Sequence, residues 1–542
     1  MWLTKRAGRS VDDFFVGRRQ MTWWLLGISM AATNFSIDTP IAMTRLVVED
    51  GIAGVWFFWA SGISALLVTF LFARLWRRSG VMTDAEIIEE RYSGRVAAVL
   101  RVFKGFYFGV IFNAFIMGWV FLALIKVMTG LTNIDVSTLL VGTTVLVFVY
   151  TLASGFYGVV LTDFVQYFIA FIGSIVLALF AVREVGGLGQ LVSRVESQFG
   201  GDTLRFFPDF SVDNLGPLSI FFTYVLVQWW AHKYSDGGGK HIQRMLSAKN
   251  ENHSFAASLL YSFINYALQV WPWILTALCG LVLFGRPEDP EQLYSMVMAR
   301  VLPPGLLGLV LVGLIGAFMS TIDTHLNLGA SYMVNDIYRR FLVRDASEKH
   351  YVLMSRVMMA GLLGLSILIA LNIQSVTGAW KFLLTFASGA GLTWIIRWFW
   401  WRVNAWTELS AMISSGVVAT YLQLRHEDWL YSEKLLVTVA LSTLVWLLVT
   451  LVTAPVDGSK LKSFVEKIRP GSAGWNRIRD RSNEPGGNFL RRALGLWAIA
   501  LVGLFSLNFG IGSLLLHRLG QAALLLSTAG VSMGWLAYRL KN

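Results

Sequence analysis

The chain has 542 residues, of which 55% are hydrophobic and only 14% are charged. It contains 22 tryptophans and 37 phenylalanines, and its formal net charge is +12. A soluble core does not supply apolar runs of about 20 residues along a whole chain, so the composition excludes a soluble fold and favours many membrane-spanning helices. The positive charge does not indicate nucleic acid binding, because most of the 45 lysines and arginines fall in short connections between apolar segments.

Fourteen apolar segments follow one another from about residue 22 to residue 538, and two of them are expected at about 136–159 and 162–184. Basic residues gather in alternate connections, starting before residue 21 and including the one that holds Lys240 and Arg244. This pattern predicts that the N-terminus of this chain and its C-terminus are both cytoplasmic. We therefore expect an integral membrane protein, in a bacterial inner (plasma) membrane. The partner expected at this point is the lipid bilayer, with no nucleic acid and no obligate protein partner.

The first apolar segment, 22–46, contains an interruption. Between Thr33 and Pro40 it carries five side chains with hydrogen-bonding capacity, and the proline that follows them has no backbone N–H. Unwound backbone inside a membrane offers carbonyl groups to ions and solutes, so a broken helix is predicted here. A second candidate interruption, 228–236, precedes three glycines, but a helix that runs into a cytoplasmic glycine-rich turn explains that pattern equally well.

The apolar segment that begins near Leu306 carries hydroxyl groups on one helical face. The positions i, i+3, i+4 and i+7 fall on Ala317, Ser320, Thr321 and Thr324, with Asp323 beside them. Such a face can bind a small hard cation, or its hydroxyls can bond to the preceding turn and only help helices to pack. The acid favours a functional interpretation, because an ionisable group in a membrane helix costs roughly 2.5 to 3.5 kcal/mol.

Motifs of other protein classes are missing from the sequence. Cys279 is the single cysteine, which excludes an intramolecular disulfide and makes redox chemistry a poor explanation. The chain has no His-Glu-x-x-His metal motif and no Gly-x-Ser-x-Gly elbow, so we do not expect an enzyme. It also lacks the filter sequence of a channel.

Several motifs occur in the order found in the sodium:solute symporter family, which the chain resembles over nearly its whole length. These motifs lie at 13–19, 83–92, 155–158, 162–166, 243–249 and 320–321. The resemblance implies an all-α polytopic membrane protein with a leucine-transporter-type core of two five-helix inverted repeats, followed by about four further helices. Family members usually have one more helix ahead of the core, and the resemblance leads us to expect that this chain lacks it, through a truncated start or as a natural variant.

The expected division of the chain follows from that core. A cytoplasmic N-terminal segment covers 1–21, and the first inverted repeat, with core helices 1 to 5, covers 22–190. The second repeat, with core helices 6 to 10, covers 191–402. Additional C-terminal helices cover 403–542 and include a basic cytoplasmic loop near 455–488.

The resemblance also implies where sodium binds. The main site is expected between the broken first helix and the eighth, with two hydroxyl ligands, from Ser320 and Thr321. Its backbone ligands are expected to be the carbonyls of Ala32, Phe35 and Ala317. Sodium is the coupling ion, and no other metal or cofactor is expected.

A second cation or proton site is implied beside the first. Its expected members are Asp163, Asp323 and Thr324, together with Ser320. Two carboxylates that face one site either hold a cation or share a proton, because two like charges disfavour full ionisation. The alternative is that Asp163 is merely a solvated residue near the cytoplasmic mouth.

The solute is expected near the bilayer midplane, beside the same break. The candidate lining residues are Asn34, Asp38, Thr39, Phe57, Phe58, Ser61, Trp230 and Tyr234. Phe58 falls where sugar-transporting relatives carry a glutamate, and this departure disfavours a sugar. An aromatic wall with one acid, Asp38, slightly favours an amine or an amino acid through ionic and cation–π contacts.

The function that follows is sodium-coupled symport of a small organic solute into the cell by alternating access. Two alternatives stay open. One is a proton-coupled symporter of the same fold, and the other is a solute-sensing membrane module without net transport.

Overall fold

The computed structural model describes residues 19–210, 215–233, 235–478 and 488–541, without the side chains of 152–159, 215 and 488. Within these residues the chain is built of helices, and a lone backbone bridge pairs Met21 with Ala248. Nine helices of the described part are long and apolar enough to cross a membrane. The protein is therefore an all-helical integral membrane protein, as the sequence predicts.

The helices fall into three stretches of the chain. The first stretch contains α1 (Trp23–Asn34), α2 (Asp38–Asp50), α3 (Ile52–Ser79), α4 (Ile87–Arg91), α5 (Gly94–Leu131), α6 (Val136–Glu184) and α7 (Leu188–Phe199). The second contains α8 (Leu215–Thr223), α9 (Gly238–Ser247), α10 (Glu251–Phe284), α11 (Leu293–Val301), α12 (Pro304–Leu342), α13 (Glu348–Ala370), α14 (Val376–Ser388) and α15 (Gly391–Ile396). The last contains α16 (Ala405–Arg425), α17 (Tyr431–Val452), α18 (Gly458–Ile468), α19 (Asn488–Leu515) and α20 (Leu519–Lys541).

The first apolar segment is broken where the sequence predicts. Helix α1 ends at Asn34 and α2 begins at Asp38, and between them Phe35 leaves helical geometry at φ −83° and ψ 88°. Pro40 lies in the first turn of α2, where its missing N–H leaves no helical hydrogen bond unmade. The Thr39 hydroxyl donates to the carbonyl of Asn34 at 3.0 Å, so a side chain crosses the break.

The second candidate interruption is also a break between two helices. A π-helical turn, Tyr224–Gln228, continues α8, and regular helix resumes only at Gly238 in α9. Gly237 has a φ of 129°, a conformation that favours glycine. Because α9 is buried, the alternative of a helix that runs out into a cytoplasmic turn does not hold.

One boundary differs from the expected segments. The sequence divides the region into 136–159 and 162–184, whereas the structure has one continuous helix, α6 (Val136–Glu184), with no proline in it. Its part from Val160 to Glu184 is by itself long enough to span a membrane. Hydropathy alone does not locate a helix end where neither a proline nor a cap interrupts the pattern. The motif at 155–158 lies outside the described side chains.

Helix α12 carries the hydroxyl face and packs against α5, α6 and α13. Its close approach to α5 depends on two glycines. A Cβ atom at Gly329 would lie 2.8 Å from the Gly109 carbonyl oxygen and 2.5 Å from the Leu362 Cδ1 atom. Small residues let helix backbones come this close in a membrane, where burial from water does not drive helices together.

We expect the change Gly329→Ala to lower the melting temperature of the purified protein by several degrees. The added methyl group must displace the α5 backbone or Leu362, and such overpacking typically costs about 1–3 kcal/mol. The matched control is Gly364→Ala in α13, where a Cβ atom meets nothing within 4 Å. Thermal unfolding in detergent compares the two variants, and equal melting temperatures would contradict the packing argument.

Candidate ion and solute site

The hydroxyl face of α12 lies against the broken first helix. Helix α12 packs on α1, and Ser320 and Thr321 are both buried. The Thr321 hydroxyl donates to the carbonyl of Ala317 at 3.1 Å, and the Ser320 hydroxyl donates to Asp163 Oδ1 at 2.5 Å. A hydroxyl that has donated its proton still has lone pairs for a cation. The hydrogen bonds within the protein are therefore compatible with ion binding at both hydroxyls.

The end of α1 supplies carbonyl groups beside this face. A helix leaves its last carbonyls without helical partners, and here some find other donors. The backbone N–H of Phe35 donates to Ala31 at 2.8 Å, and Lys240 Nζ donates to the carbonyl of Thr33 at 3.3 Å. Of the residues whose carbonyls the resemblance selects as sodium ligands, Ala32 lies in the last turn of α1 and Phe35 is the first residue beyond the helix.

Asp163 lies at the centre of a buried polar cluster. Its Oδ2 atom accepts from the Ser29 hydroxyl at 2.6 Å and from Arg244 Nη2 at 3.0 Å, while Oδ1 accepts from Ser320. Both side chains of the Asp163–Arg244 ion pair are fully buried. The alternative of a solvated Asp163 near the cytoplasmic mouth therefore does not hold.

Arg244 is the residue of this cluster that the sequence motifs leave without a role. Its guanidinium lies among the residues predicted for a second cation, because it contacts Asp163 and also donates to Thr324 Oγ1 at 3.1 Å. The charge pattern assigns Arg244 and Lys240 to a cytoplasmic connection, but the structure buries both in α9. Their position directly after an interrupted helix is the signal in the sequence that points to a buried role.

Asp323 is placed differently from its neighbours on α12. Both of its carboxylate oxygens are buried and make no hydrogen bond of good geometry among the described atoms, and the nearby Thr151 hydroxyl is placed to donate to them. Asp163, Arg244 and Tyr150 are titratable groups that interact with it electrostatically. A buried carboxylate with so few hydrogen-bond donors around it is costly as an ion, so Asp323 is suited to hold a proton or to face a cation.

A cavity of about 180 Å³ lies beside the break. Six of the predicted solute residues line it, namely Asn34, Asp38, Thr39, Phe57, Phe58 and Ser61. Thr321 lines it as well, so the predicted sodium site and the cavity share a residue. Trp230 is not among the lining residues, and its indole donates to the carbonyl of Leu226 at 2.7 Å. Tyr234 lies outside the described residues.

Basic side chains that the sequence motifs do not single out line the same cavity. They are His232, Lys233, Lys240, His241 and His325. Asp38 is the acid among the described lining residues, and its Oδ2 atom accepts from the indole of Trp380 at 3.1 Å.

Two polar networks join the core helices at opposite ends. Near one end the buried Glu291 accepts from Lys126 of α5 at 2.7 Å and lies 3.5 Å from Arg45 of α2. Near the other end the buried Asp336 of α12 accepts from Arg101 of α5 at 2.7 Å. The positions of Arg101 and Lys126 on α5 are roughly 37 Å apart at 1.5 Å per residue, so the networks are separated by about the thickness of a membrane.

Comparison with known proteins identifies the class to which this arrangement belongs. A model of the sodium:solute symporter family matches residues 14–415. The chain belongs to this family. Membership supports sodium-coupled symport with sodium as the coupling ion, and it groups the chain with transporters rather than with enzymes.

Curated relatives are distant but cover most of the chain. The sodium/mannose cotransporter of Bos taurus is 24% identical over 480 residues, which cover 79% of this chain and 77% of the relative. The sodium/glucose cotransporter of Vibrio parahaemolyticus is 21% identical over 493 residues, which cover 84% and 88%.

A solved structure confirms the expected fold. It shows the substrate-bound, outward-open state of a Na⁺-coupled sialic acid symporter, and the TM-score with this chain is 0.69 at 17% sequence identity. The match covers 84% of this chain and 95% of that one. The fold of this symporter family member is accordingly of the leucine-transporter type.

We expect the single changes Arg244→Met and Asp163→Asn each to destabilise the protein strongly. Loss of one partner of a buried ion pair leaves the other uncompensated and typically costs about 3–5 kcal/mol. The double variant should therefore lose less stability than the two single losses added together. The melting temperatures of the unaltered protein, the two single variants and the double variant form a double-mutant cycle that measures the interaction. Arg300→Met, at the exposed Arg300–Glu184 pair, is the control and should change little. Additive losses at the buried pair would refute the interaction.

Proposed function

We propose that this protein carries a small organic solute into the cell together with sodium, by alternating access. The observation that carries the proposal is the position of Thr321, which belongs to the predicted sodium site and also lines the solute cavity. An ion held by the hydroxyls of Ser320 and Thr321 and the carbonyls of Ala32, Phe35 and Ala317 therefore adjoins the solute. No chemical bond is made or broken.

Coupling follows from this adjacency. Sodium that stabilises the solute-binding form of the cavity raises the affinity for solute, and by linkage solute raises the affinity for sodium by the same factor, typically through 1–3 kcal/mol. A membrane potential of about 100 mV adds roughly 2.3 kcal/mol for each positive charge that moves inward.

The two polar networks support alternating access. We assign the Glu291 network to the outer side and the Asp336 network to the inner side, because the exposed arginines next to the latter fit a cytoplasmic surface. The Glu291 network joins α5 to α2, whereas the Asp336 network joins α5 to α12. One network can therefore open while the other stays formed. With this orientation we propose that both termini of this chain are cytoplasmic, and we propose a bacterial inner membrane as the location.

A proton-coupled mechanism is the second candidate, and Asp323 is the observation that favours it. A carboxylate that is buried near Asp163, with Thr151 as the hydroxyl placed to donate to it, can carry a proton in place of a second sodium ion.

The first test concerns the two hydroxyls. We expect Ser320→Ala or Thr321→Ala to raise the sodium concentration at half-maximal thermal stabilisation about tenfold, which corresponds to about 1.4 kcal/mol for a lost ligand. Sodium chloride is titrated at constant ionic strength with choline chloride. Ser331→Ala is the matched control, since its buried hydroxyl lies on the same helix and bonds to the carbonyl of Leu328. If the sodium concentration at half-maximal stabilisation is unchanged in both variants, Ser320 and Thr321 are not sodium ligands.

The second test concerns Asp323→Asn. Proton coupling predicts that this change flattens the pH dependence of uptake in proteoliposomes, because the neutral amide cannot titrate. A second sodium site predicts instead a lower number of sodium ions moved per solute, measured from the voltage dependence of uptake. If neither quantity changes, Asp323 has a structural role and proton coupling is rejected.

A further inference from the structure

We infer that His325 selects the solute, and that its Nε2 atom accepts a hydrogen bond from a hydroxyl or N–H group of the transported molecule. This inference rests on the proposed function, because it treats the cavity beside the break as the transport site. It names the class of solute as one that donates a hydrogen bond at this position. It also gives Asn113 the role of a positioning residue for His325.

His325 lies on the hydroxyl face of α12, one turn beyond Thr321. Residues four apart in a helix share a face, and both of these side chains line the main cavity. His325 also lines a smaller cavity of about 20 Å³, and only 2% of the residue is exposed. A solute atom that contacts His325 is therefore close to a residue of the predicted sodium site.

Asn113 of α5 determines which nitrogen of His325 carries the proton. The Nδ1 atom of His325 lies 2.6 Å from Asn113 Oδ1. The amide nitrogen of Asn113 donates to the carbonyl of Gly109 at 3.4 Å, so the amide oxygen faces the histidine. An amide oxygen only accepts hydrogen bonds, and Nδ1 must therefore be the donor. The reverse orientation of Asn113 would place its oxygen against the Gly109 carbonyl, which has no proton to donate.

The other ring nitrogen of His325 is left as an acceptor. In a neutral imidazole one nitrogen donates and the other accepts, so a proton on Nδ1 leaves a lone pair on Nε2. The Nε2 atom is buried and has no hydrogen-bond partner among the described atoms. A second proton would make it a buried, charged donor that faces no acceptor in the described part of the chain, which is costly.

Asp84 is the acid that lines the smaller cavity among the described residues, and it is already engaged. Its carboxylate accepts from the Tyr332 hydroxyl and lies 3.6 Å from Lys104 Nζ. It therefore does not supply an acceptor for a protonated His325.

An unsatisfied acceptor in a cavity selects among solutes. A hydroxyl or N–H group supplies the missing donor, whereas a carboxylate, carbonyl or ether oxygen brings a second lone pair and leaves both atoms unsatisfied. A site built to bond a hydroxyl or N–H group discriminates strongly against an analogue that lacks this group. His325 is therefore placed to set specificity.

Aromatic rings form another part of the lining. Phe57 and Trp380 are stacked with their ring centres 6.4 Å apart, and the ring centres of Phe58 and Tyr266 are 5.2 Å apart. All four residues line the main cavity, where their rings offer an apolar surface. The solute that fits has an apolar face and a hydroxyl or N–H group at the His325 end.

The position of the proton can be measured without knowledge of the solute. The purified full-length protein, labelled with ¹⁵N in its seven histidines, is studied by NMR at neutral pH. Signals that disappear in the His325→Asn variant belong to His325. We expect a neutral ring with its proton on Nδ1. A proton on Nε2, or on both nitrogens, would overturn the inference. If the variant does not fold, absence of any neutral, Nδ1-protonated ring among the seven histidines has the same meaning.

The binding test uses four probes with hydroxyl or N–H groups on compact bodies: myo-inositol, ribitol, glucose and uracil. The protein is unfolded thermally with each probe, in sodium chloride and in choline chloride at equal ionic strength. We expect at least one probe to raise the melting temperature in sodium. Its hydroxyls are then replaced by fluorine one at a time, or its N–H groups are methylated, and we expect one such analogue to lose most of the affinity.

Two variants separate solute binding from packing. In His325→Asn the amide takes the place of Nδ1 and can still donate to Asn113, but the acceptor is lost. In His325→Gln the amide reaches the place of Nε2, so its oxygen restores the acceptor. We expect the first variant to weaken binding of the stabilising probe at least tenfold, and the second to retain most of the affinity. A purely structural role predicts the reverse order, and that result would refute the assignment.

His350→Asn is the matched control for these variants. His350 lies outside both cavities, and its Nε2 atom already contacts the Tyr338 hydroxyl at 2.9 Å. The affinity for the stabilising probe should therefore be unchanged in this variant.

Stabilisation by none of the four probes in sodium would overturn the inference, as would donor-free analogues that all bind as well as their parent compound. Neither outcome touches the proposed function if sodium alone stabilises the protein. Absence of any sodium effect, with or without a probe, would instead reject the proposed function.

Discussion

One buried carboxylate joins four helices of the core. Asp163 of α6 accepts hydrogen bonds from Ser29 of α1, Ser320 of α12 and Arg244 of α9. Because an ion buried without its partners costs several kcal/mol, the cluster restricts how these helices can separate at this depth. The cluster also fixes how far apart α1 and α12 lie at the level of Ser29 and Ser320. The geometry of the predicted sodium site thus depends on an ion pair that lies behind the site.

The same requirement, that polar groups in a membrane find partners, explains where the helices break. Irregular backbone is tolerated at membrane depth only where protein or a water-filled cavity satisfies it. Both breaks meet this condition, because Lys240 of α9, which follows the second break, donates to the carbonyl of Thr33 at the first. A movement of either half-helix therefore changes the surroundings of the other, and this link is a physical basis for coupling between ion and solute.

Local features make part of this arrangement predictable. A proline after a polar cluster marks a break without reference to the rest of the chain, and the spacing of Ser320 and Thr321 puts both hydroxyls on one face of any helix. The charge pattern misplaces Arg244 because a count of charges treats each cation as solvated, whereas its partner Asp163 lies far away in sequence. Trp230 is predicted to line the cavity but does not, for a related reason. The pattern of an interrupted helix does not show which of its side chains point to the cavity. Hydropathy alone also does not reveal that α6 is continuous.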